Sequence, residues 1–295
     1  IFISAPENVA WILNIRGSDG PNSPVPNCRL IVSKTKKITF IGMSGLGKTF
    51  ISHILHSKHG WLHYSVDFRI GSNYLHESIF ETCEETNISS NKRKFSIKDL
   101  SLLSKYLGKP GNPSASGLDF SEYMKRQKEH RAAEISSMLD IPDYINTHLK
   151  APKTNFVCDT SGSLCEIVDP QDPKDPILSR IAEQTLIILI KETDSEMKKL
   201  KDRFKKEPKP MYYKEDFLKK IWRDFCIQKK INGNQVDPDE FSLYGFEKLI
   251  SHRRPIYDLI AKNWGIEIPF TEISKIKSAS DLNKLIYQFL PEKKG

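Results

Sequence analysis

Gly42-Met43-Ser44-Gly45-Leu46-Gly47-Lys48-Thr49 satisfies the pattern G-x-x-x-x-G-K-[ST] without a mismatch. Its flanks give the pattern a structural context. The apolar run Ile38-Thr39-Phe40-Ile41 precedes it and reads as a buried strand. Phe50 to His59 follows and reads as a helix, with Ile51, Ile54 and Leu55 on one face and Gly60 as the stop. Between strand and helix, a glycine-rich turn lets the backbone N–H groups of Gly42, Ser44, Gly45, Leu46 and Gly47 surround phosphate oxygens. Lys48 brings a point charge to the outer phosphates, and the Thr49 hydroxyl can hold Mg²⁺. The expected ligand is a nucleoside triphosphate, ATP with Mg²⁺.

Working outward, His63-Tyr64-Ser65-Val66-Asp67 reads as a second short strand ending in a carboxylate. Ligands of open α/β sheets bind at the carboxyl ends of strands. Asp67 is therefore expected beside the phosphates, where it could hold Mg²⁺ through water, orient a substrate hydroxyl or take its proton. The ordinary alternative is an N-cap for Phe68 to Leu75. Asn155-Phe156-Val157-Cys158-Asp159 is the next strand, and Asp159 fits a Walker B carboxylate supporting Mg²⁺ near Thr49. Thr160-Ser161-Gly162-Ser163 follows as a flexible turn facing the same site, with Glu166 nearby in an open role. Leu186 to Ile190 is a continuous apolar run suited to a central parallel strand. Ser251 to Asn263 reads as a helix, Ile266 to Pro269 as a strand, and Asp281 to Leu290 as a last helix. Strands alternating with helices indicate a parallel sheet.

Residues 76–150 read as a helical insertion between the second and third strands. Lys98 to Leu107 is a helix ended by Gly108, and Ser121 to Asp140 is a second helix that stops before Pro142. Lys125, Arg126 and Arg131 could read an anion there or form a solvated helix face. Lys198, Lys199, Lys201, Arg203, Lys205 and Lys206 make the segment 194–214 a basic helix-loop of the kind that closes over phosphates; a solvated charged helix is the alternative.

The 295 residues carry a net charge of +8, which suits an anionic nucleotide and an anionic small-molecule acceptor. No interleaving of aromatic and basic residues of the RNA-recognition type occurs, so nucleic acid is an unlikely partner. No stretch approaches the roughly 20 apolar residues of a membrane span, and no signal segment is evident. The five cysteines, Cys28, Cys83, Cys158, Cys165 and Cys226, form no C-x-x-C pair and read as reduced thiols of a cytoplasmic protein. His53, His56, His59 and His63 do not converge at helical spacing, and they read as solvated surface rather than a zinc site.

The order of these pieces resembles the shikimate kinase and nucleotide kinase branch of P-loop proteins. Gly45 matches the inner glycine of that branch's loop. Lys209-Pro210-Met211 stands where the family's lid ends, and Arg253-Arg254-Pro255-Ile256-Tyr257 resembles its Arg-x-Pro-Leu-Tyr motif. The resemblance implies a three-layer P-loop NTPase α/β sandwich with a parallel sheet over residues 37–295. It implies that Arg203 packs near the base, that Arg253 meets a substrate carboxylate, and that Asp67 and Gly162 touch substrate. Ser65 replaces the first carboxylate of the family's Asp-x-Asp strand end, so Mg²⁺ support falls to Asp159. The family's glycine triplet becomes Thr160-Ser161-Gly162-Ser163, and the insertion is longer than in those kinases.

Residues 5–32, with the core Trp11-Ile12-Leu13-Asn14-Ile15-Arg16-Gly17-Ser18-Asp19, closely resemble a segment of the N-terminal domain of Xaa-Pro aminopeptidases, the creatinase/prolidase group. The metal-binding catalytic domain of that group has no counterpart after residue 37, so no peptidase activity is expected. Residues 1–36 read as a truncated piece that does not fold independently. The expected activity is an ATP-dependent small-molecule kinase. The alternative is an ATPase or nucleotide switch that acts on a protein partner through the insertion.

Overall fold

The run Ile38–Ile41 lies in strand β1, Lys37–Ile41, and is buried at four successive positions. Successive buried positions point to opposite faces, so both faces of this strand are covered, as in a parallel sheet. The computed structural model describes residues 2–3, 30–31, 36–83, 93–149 and 154–290. Four more strands complete the sheet: β2, Leu62–Ser65; β3, Phe156–Asp159; β4, Leu186–Lys191; and β5, Gly265–Pro269. The spatial order is β2-β3-β1-β4-β5 and every pairing is parallel. Phe40 pairs with both Asp159 and Ile188. The chain leaves β1 toward β2 and later crosses to β4 on the other side, so the winding reverses around β1. The crevice beyond its carboxyl end is the place where such sheets bind ligands.

Helix α1, Lys48–His59, begins directly after Gly47 and ends at Gly60 (φ 65°). There the Gly60 N–H bonds the His56 carbonyl at 3.0 Å and the Trp61 N–H bonds that of Leu55 at 3.2 Å, which closes the helix end with a residue free of Cβ strain. The second strand is shorter than expected. Its pairing stops at Ser65 opposite Asp159, and Asp67 lies in the four-residue helix α2, Val66–Arg69, which runs on through a π-turn at Ile70–Tyr74.

The expected insertion consists of α3, His76–Cys83; α4, Leu100–Leu107; α5, Phe120–Leu139; and α6, Ile141–His148. Asp119 caps α5 by accepting the Ser121 N–H at 2.8 Å. After β3 come α7, Pro176–Gln184, and, beyond β4, α8, Asp194–Lys206. Then follow α9, Glu215–Lys229; α10, Pro238–Trp264; α11, Phe270–Ile273; and α12, Ala279–Phe289. The helix expected from Ser251 is the second half of α10, which runs for 27 residues with Pro255 inside it.

One large apolar cluster unites the sheet with its helices. A second, built from Tyr123 and Met124 of α5, Leu218, Ile221 and Phe225 of α9, and Phe241 and Leu249 of α10, ties the insertion to the C-terminal half. Burial at roughly 25 cal/mol per Å² of apolar surface makes this second cluster a firm anchor for α5. No described helix is long and apolar enough to cross a membrane. The four described cysteines are free thiols, and Cys158 and Cys165 are buried in the core as expected of small apolar side chains. Near the N-terminus, Phe2–Ile3 pairs antiparallel with Leu30–Ile31. The remaining readings for residues 1–35, including Cys28, lie outside the described residues.

Candidate active site

The phosphate-loop glycines sit where only glycine is comfortable. Gly42, Gly45 and Gly47 have φ of 131°, 85° and 78°. A Cβ on Gly45 would lie 2.8 Å from Leu200 Cδ2, so this glycine also lets α8 seat against the loop. Lys48 is buried, and its ammonium donates to the carbonyls of Gly42 at 2.7 Å and Met43 at 3.0 Å. Burial pushes its pKa down to about 8, against the opposing pull of Asp67 and Asp159. The N-terminal turn of α1 adds the positive end of a 12-residue helix to the same place.

Asp159 ends β3 beside β1, and the parallel register brings it to Thr49. The Thr49 hydroxyl donates to Asp159 Oδ2 at 2.8 Å, and the Ser65 hydroxyl approaches the same oxygen at 3.4 Å. The His63 imidazole bonds the other carboxylate oxygen. His63 is thus a member of the site and not the free surface group its neighbours in sequence suggest. The signal was present in the strand period: His63 and Ser65 share one face of β2, and Ser65 pairs with Asp159. Asp67 sits within electrostatic reach of both Lys48 and Asp159. Burial first, then the Asp159 charge, push its carboxyl up to about 6, and Lys48 opposes them. The hydroxyl of Thr49 and the carboxylate of Asp159 are hard oxygen donors, and they fit Mg²⁺.

The turn after β3 is fixed rather than flexible. Thr160, Ser161 and Ser163 are all buried. Gly162 packs so tightly on the phosphate loop that a Cβ would lie 2.7 Å from the Ser44 backbone nitrogen. Ser161 and Ser163 both donate to Glu134 of α5, Ser163 at 2.9 and 3.0 Å to the two carboxylate oxygens. Glu134 is fully buried, and burial pushes its pKa up to about 7. Sequence reasoning missed it, because a single glutamate inside a charged helix carries no signal that it faces inward.

Arg253 differs most from expectation. It is 2% exposed, and its three nitrogens donate to Glu166 Oε1 (2.8 Å), the Gly162 carbonyl (2.8 Å) and the Tyr212 carbonyl (2.7 Å). An arginine inside this packed core needs a carboxylate to offset its desolvation, and Glu166 supplies it. The role left open for Glu166 is therefore to hold Arg253. Arg126 bonds Glu122 (2.8 Å) and the Tyr106 carbonyl (2.7 Å), and Arg131 donates to the Glu166 carbonyl (2.9 Å). In the segment 194–214, expected to act as a lid, Met197, Leu200 and Phe204 seat α8 on the core, while Arg203 reaches the Gly45 carbonyl at 3.4 Å.

Residues 1–130 match the family model of the creatinase/prolidase N-terminal domain. No curated protein matches the chain. Among solved structures, the chain is similar to the shikimate kinase of Bacteroides thetaiotaomicron at 11% identity, with 86% of this chain and 95% of that one covered and a TM-score of 0.38. Against the shikimate kinase of Aquifex aeolicus the values are 14%, 73%, 97% and 0.28. Against that of Acinetobacter baumannii in complex with shikimate they are 12%, 75%, 96% and 0.30. The class rests on the chain's own features: a five-stranded all-parallel sheet in the order β2-β3-β1-β4-β5 with a glycine-rich phosphate loop after β1 make it a P-loop α/β protein.

Proposed function

We propose that this chain is an Mg-ATP-dependent kinase that transfers the γ-phosphoryl group to a hydroxyl of a small molecule. The observation that carries the reading is the 2.8 Å contact between Thr49 and Asp159, which assembles a hard-oxygen pair beside the phosphate loop. The loop amides and the α1 N-terminus receive the phosphates, and Lys48 exchanges its carbonyl partners for phosphate oxygens. Thr49 and Asp159 would hold Mg²⁺, which when bound would neutralise phosphate charge. Arg203, beside Gly45, adds a cation over the loop. Asp67 receives the proton of the acceptor hydroxyl as its oxygen bonds the γ-phosphorus and the bond to the bridging oxygen breaks, leaving ADP. A carboxylate whose pKa is pushed up to about 6 is mostly ionised at neutral pH and is a better base than an ordinary aspartate. Arg253 acts here through the loop it holds at Gly162, not as an acceptor contact.

The test is ADP formation from Mg-ATP, with and without a pooled metabolite mixture, for the wild type and Lys48→Ala. The expected outcome is a Lys48-dependent rate that the mixture raises many-fold. A slow rate indifferent to metabolites would replace this reading with an ATPase or switch.

A further inference from the structure

The carboxylate beside the phosphate loop is gripped through both of its oxygens. The Asp159 side chain is 3% exposed. Its Oδ2 accepts from the Thr49 hydroxyl at 2.8 Å, with the Ser65 hydroxyl farther off at 3.4 Å. Its Oδ1 meets the His63 imidazole through Nε2. An ionised carboxylate has no proton to give, so the imidazole is the donor in this bond. The strand register makes the meeting possible. His63 lies opposite Val157, and Ser65 lies opposite Asp159. Side chains alternate along a strand, so these four residues share one face of the sheet. Helix α1 packs on β2 and β3 and brings Thr49 to that face.

His63 is itself held in place. Its strand is at the edge of the sheet, and Tyr144 of α6 braces it. The Tyr144 hydroxyl approaches the His63 carbonyl at 3.5 Å, and its ring meets that of Tyr64 edge-on at 4.8 Å between centroids. From α1, the His56 ring stands 6.0 Å from the His63 ring, and its Nδ1 is taken up by the Trp61 carbonyl at 2.8 Å. The bond to Oδ1 therefore comes from a ring with little room to turn. The last torsion of an aspartate is broad, so a fixed partner on one oxygen decides where the other points. Here the His63 bond on Oδ1 leaves Oδ2 facing Thr49. Ser65 at 3.4 Å is too distant to do the same. Without His63, Oδ1 would be a buried acceptor lacking its partner, and the carboxylate would turn to find another.

We propose that His63 is the positioning residue of the Mg²⁺ site, its imidazole locking the Asp159 carboxylate in the orientation that serves Thr49. This rests on the Mg-nucleotide part of the reading above. The route from His63 to the metal runs through Asp159. Groups that hydrogen-bond a metal-supporting carboxylate set its aim, and their loss typically weakens metal affinity about 10- to 100-fold. Loss of the imidazole should therefore weaken metal binding while the loop amides and Lys48 still seat the phosphates. Its effect should also fade once the Asp159 carboxylate is gone, because residues that act as one unit are not additive.

The experiment titrates Mn²⁺, a paramagnetic substitute for Mg²⁺, into the full chain held in excess over a non-hydrolysable ATP analogue. Bound metal is read by electron paramagnetic resonance. A fluorescent ATP analogue in EDTA reads nucleotide binding without metal. His63→Leu, which keeps an apolar side chain but no donor, should weaken Mn²⁺ binding at least about tenfold while metal-free nucleotide affinity stays within about twofold. His63→Gln, whose amide N–H can take the place of Nε2–H, should recover most of that loss. In an Asp159→Asn background, His63→Leu should cost less than about threefold more. Unchanged Mn²⁺ binding in His63→Leu, an equal loss in His63→Gln, an undiminished loss in the Asp159→Asn background, or an equal loss of metal-free nucleotide binding would overturn the inference. The expected Mn²⁺ pattern in a chain that phosphorylates no acceptor would overturn the kinase reading alone. Absence of Lys48-dependent nucleotide binding in the wild type would overturn both.

Discussion

The Thr49 hydroxyl and the Asp159 carboxylate, 110 residues apart in the chain, are joined by a 2.8 Å hydrogen bond at the carboxyl end of the sheet. That contact exists because β1 and β3 pair in parallel with Phe40 opposite Asp159, which sets the end of one strand level with the loop that leaves the other. Removing the carboxylate charge while keeping its shape isolates its share of the metal site. Asp159→Asn is expected to raise the Mg²⁺ concentration for half-maximal ADP formation by about 10- to 100-fold, the range seen when metal-supporting groups are lost. A magnesium titration of the variant against the wild type measures it.

Lys48 presents a different balance. Its ammonium is held by the Gly42 and Met43 carbonyls in a buried position, so phosphate must compete with them for it. Lys48→Ala removes the point charge on the transferring group and is expected to lower kcat at least about 100-fold, equal to about 2.7 kcal/mol. Lys48→Arg should not restore it, because the planar guanidinium does not fit a seat shaped for a compact ammonium. Steady-state ADP release for both variants decides the point.

Acidic pH should silence the reaction through Asp67. Its folded-state pKa is raised to about 6, and the base is active only when ionised. The rate is therefore full above this value and falls as pH drops through it. Asp67→Asn should lower the rate by roughly 10²- to 10⁴-fold and abolish that limb of the profile. A profile of kcat/KM between pH 5 and 8 for both proteins is the measurement; an unmoved limb in the variant would assign it to another group.

Glu134 makes the opposite kind of contribution to stability. Its folded-state pKa, about 7, lies above the ordinary value of 4.5. The folded protein thus holds that proton more tightly than the unfolded chain. The favourable contribution is complete below about pH 4.5 and is lost as pH rises through about 7. Glu134→Gln carries no charge to desolvate, so it should gain on the wild type as pH rises from 5 to 8, by up to about 3 kcal/mol. Urea denaturation at both pH values tests the sign.

The loop pattern and its flanking strand and helix were legible because each depends on local chemistry: glycine at positive φ, an apolar run, a lysine at the helix start. Asp159 was legible for the same reason, as the polar residue ending a buried strand. Asp67 was read onto a strand end and lies in α2 instead, because strand length is set by a neighbour, and pairing stops at Ser65. Glu134 was not legible as a site residue, because its role comes from meeting Ser161 across 27 residues, which no local pattern encodes. His63 meets Asp159 across 96 residues, and its only signal was the strand period that sets it on the face of Ser65. Arg253 was placed near the right loop by its motif, yet its charge partner, Glu166, lies 87 residues earlier, so its burial could not be read from the motif.

Arg253 therefore supports a prediction about folding rather than affinity. Its guanidinium ties Glu166 of the segment after β3, Gly162 of the loop and Tyr212 ahead of α9 to the middle of α10. Arg253→Met keeps much of the apolar stem but strands the Glu166 carboxylate and two carbonyls in the core. Breaking a buried pair from one side costs about 3–5 kcal/mol. Arg253→Lys has one nitrogen where three contacts diverge, and it should recover less than half of that loss. The pair Arg253→Met with Glu166→Met removes the stranded charge as well as the cation. It should be more stable than the single Arg253→Met variant, as expected when an ion pair is replaced from both sides by apolar groups. Urea denaturation of the three variants at pH 7 gives the order. If Arg253→Met unfolds at the wild-type midpoint, Arg253 does not carry this part of the fold.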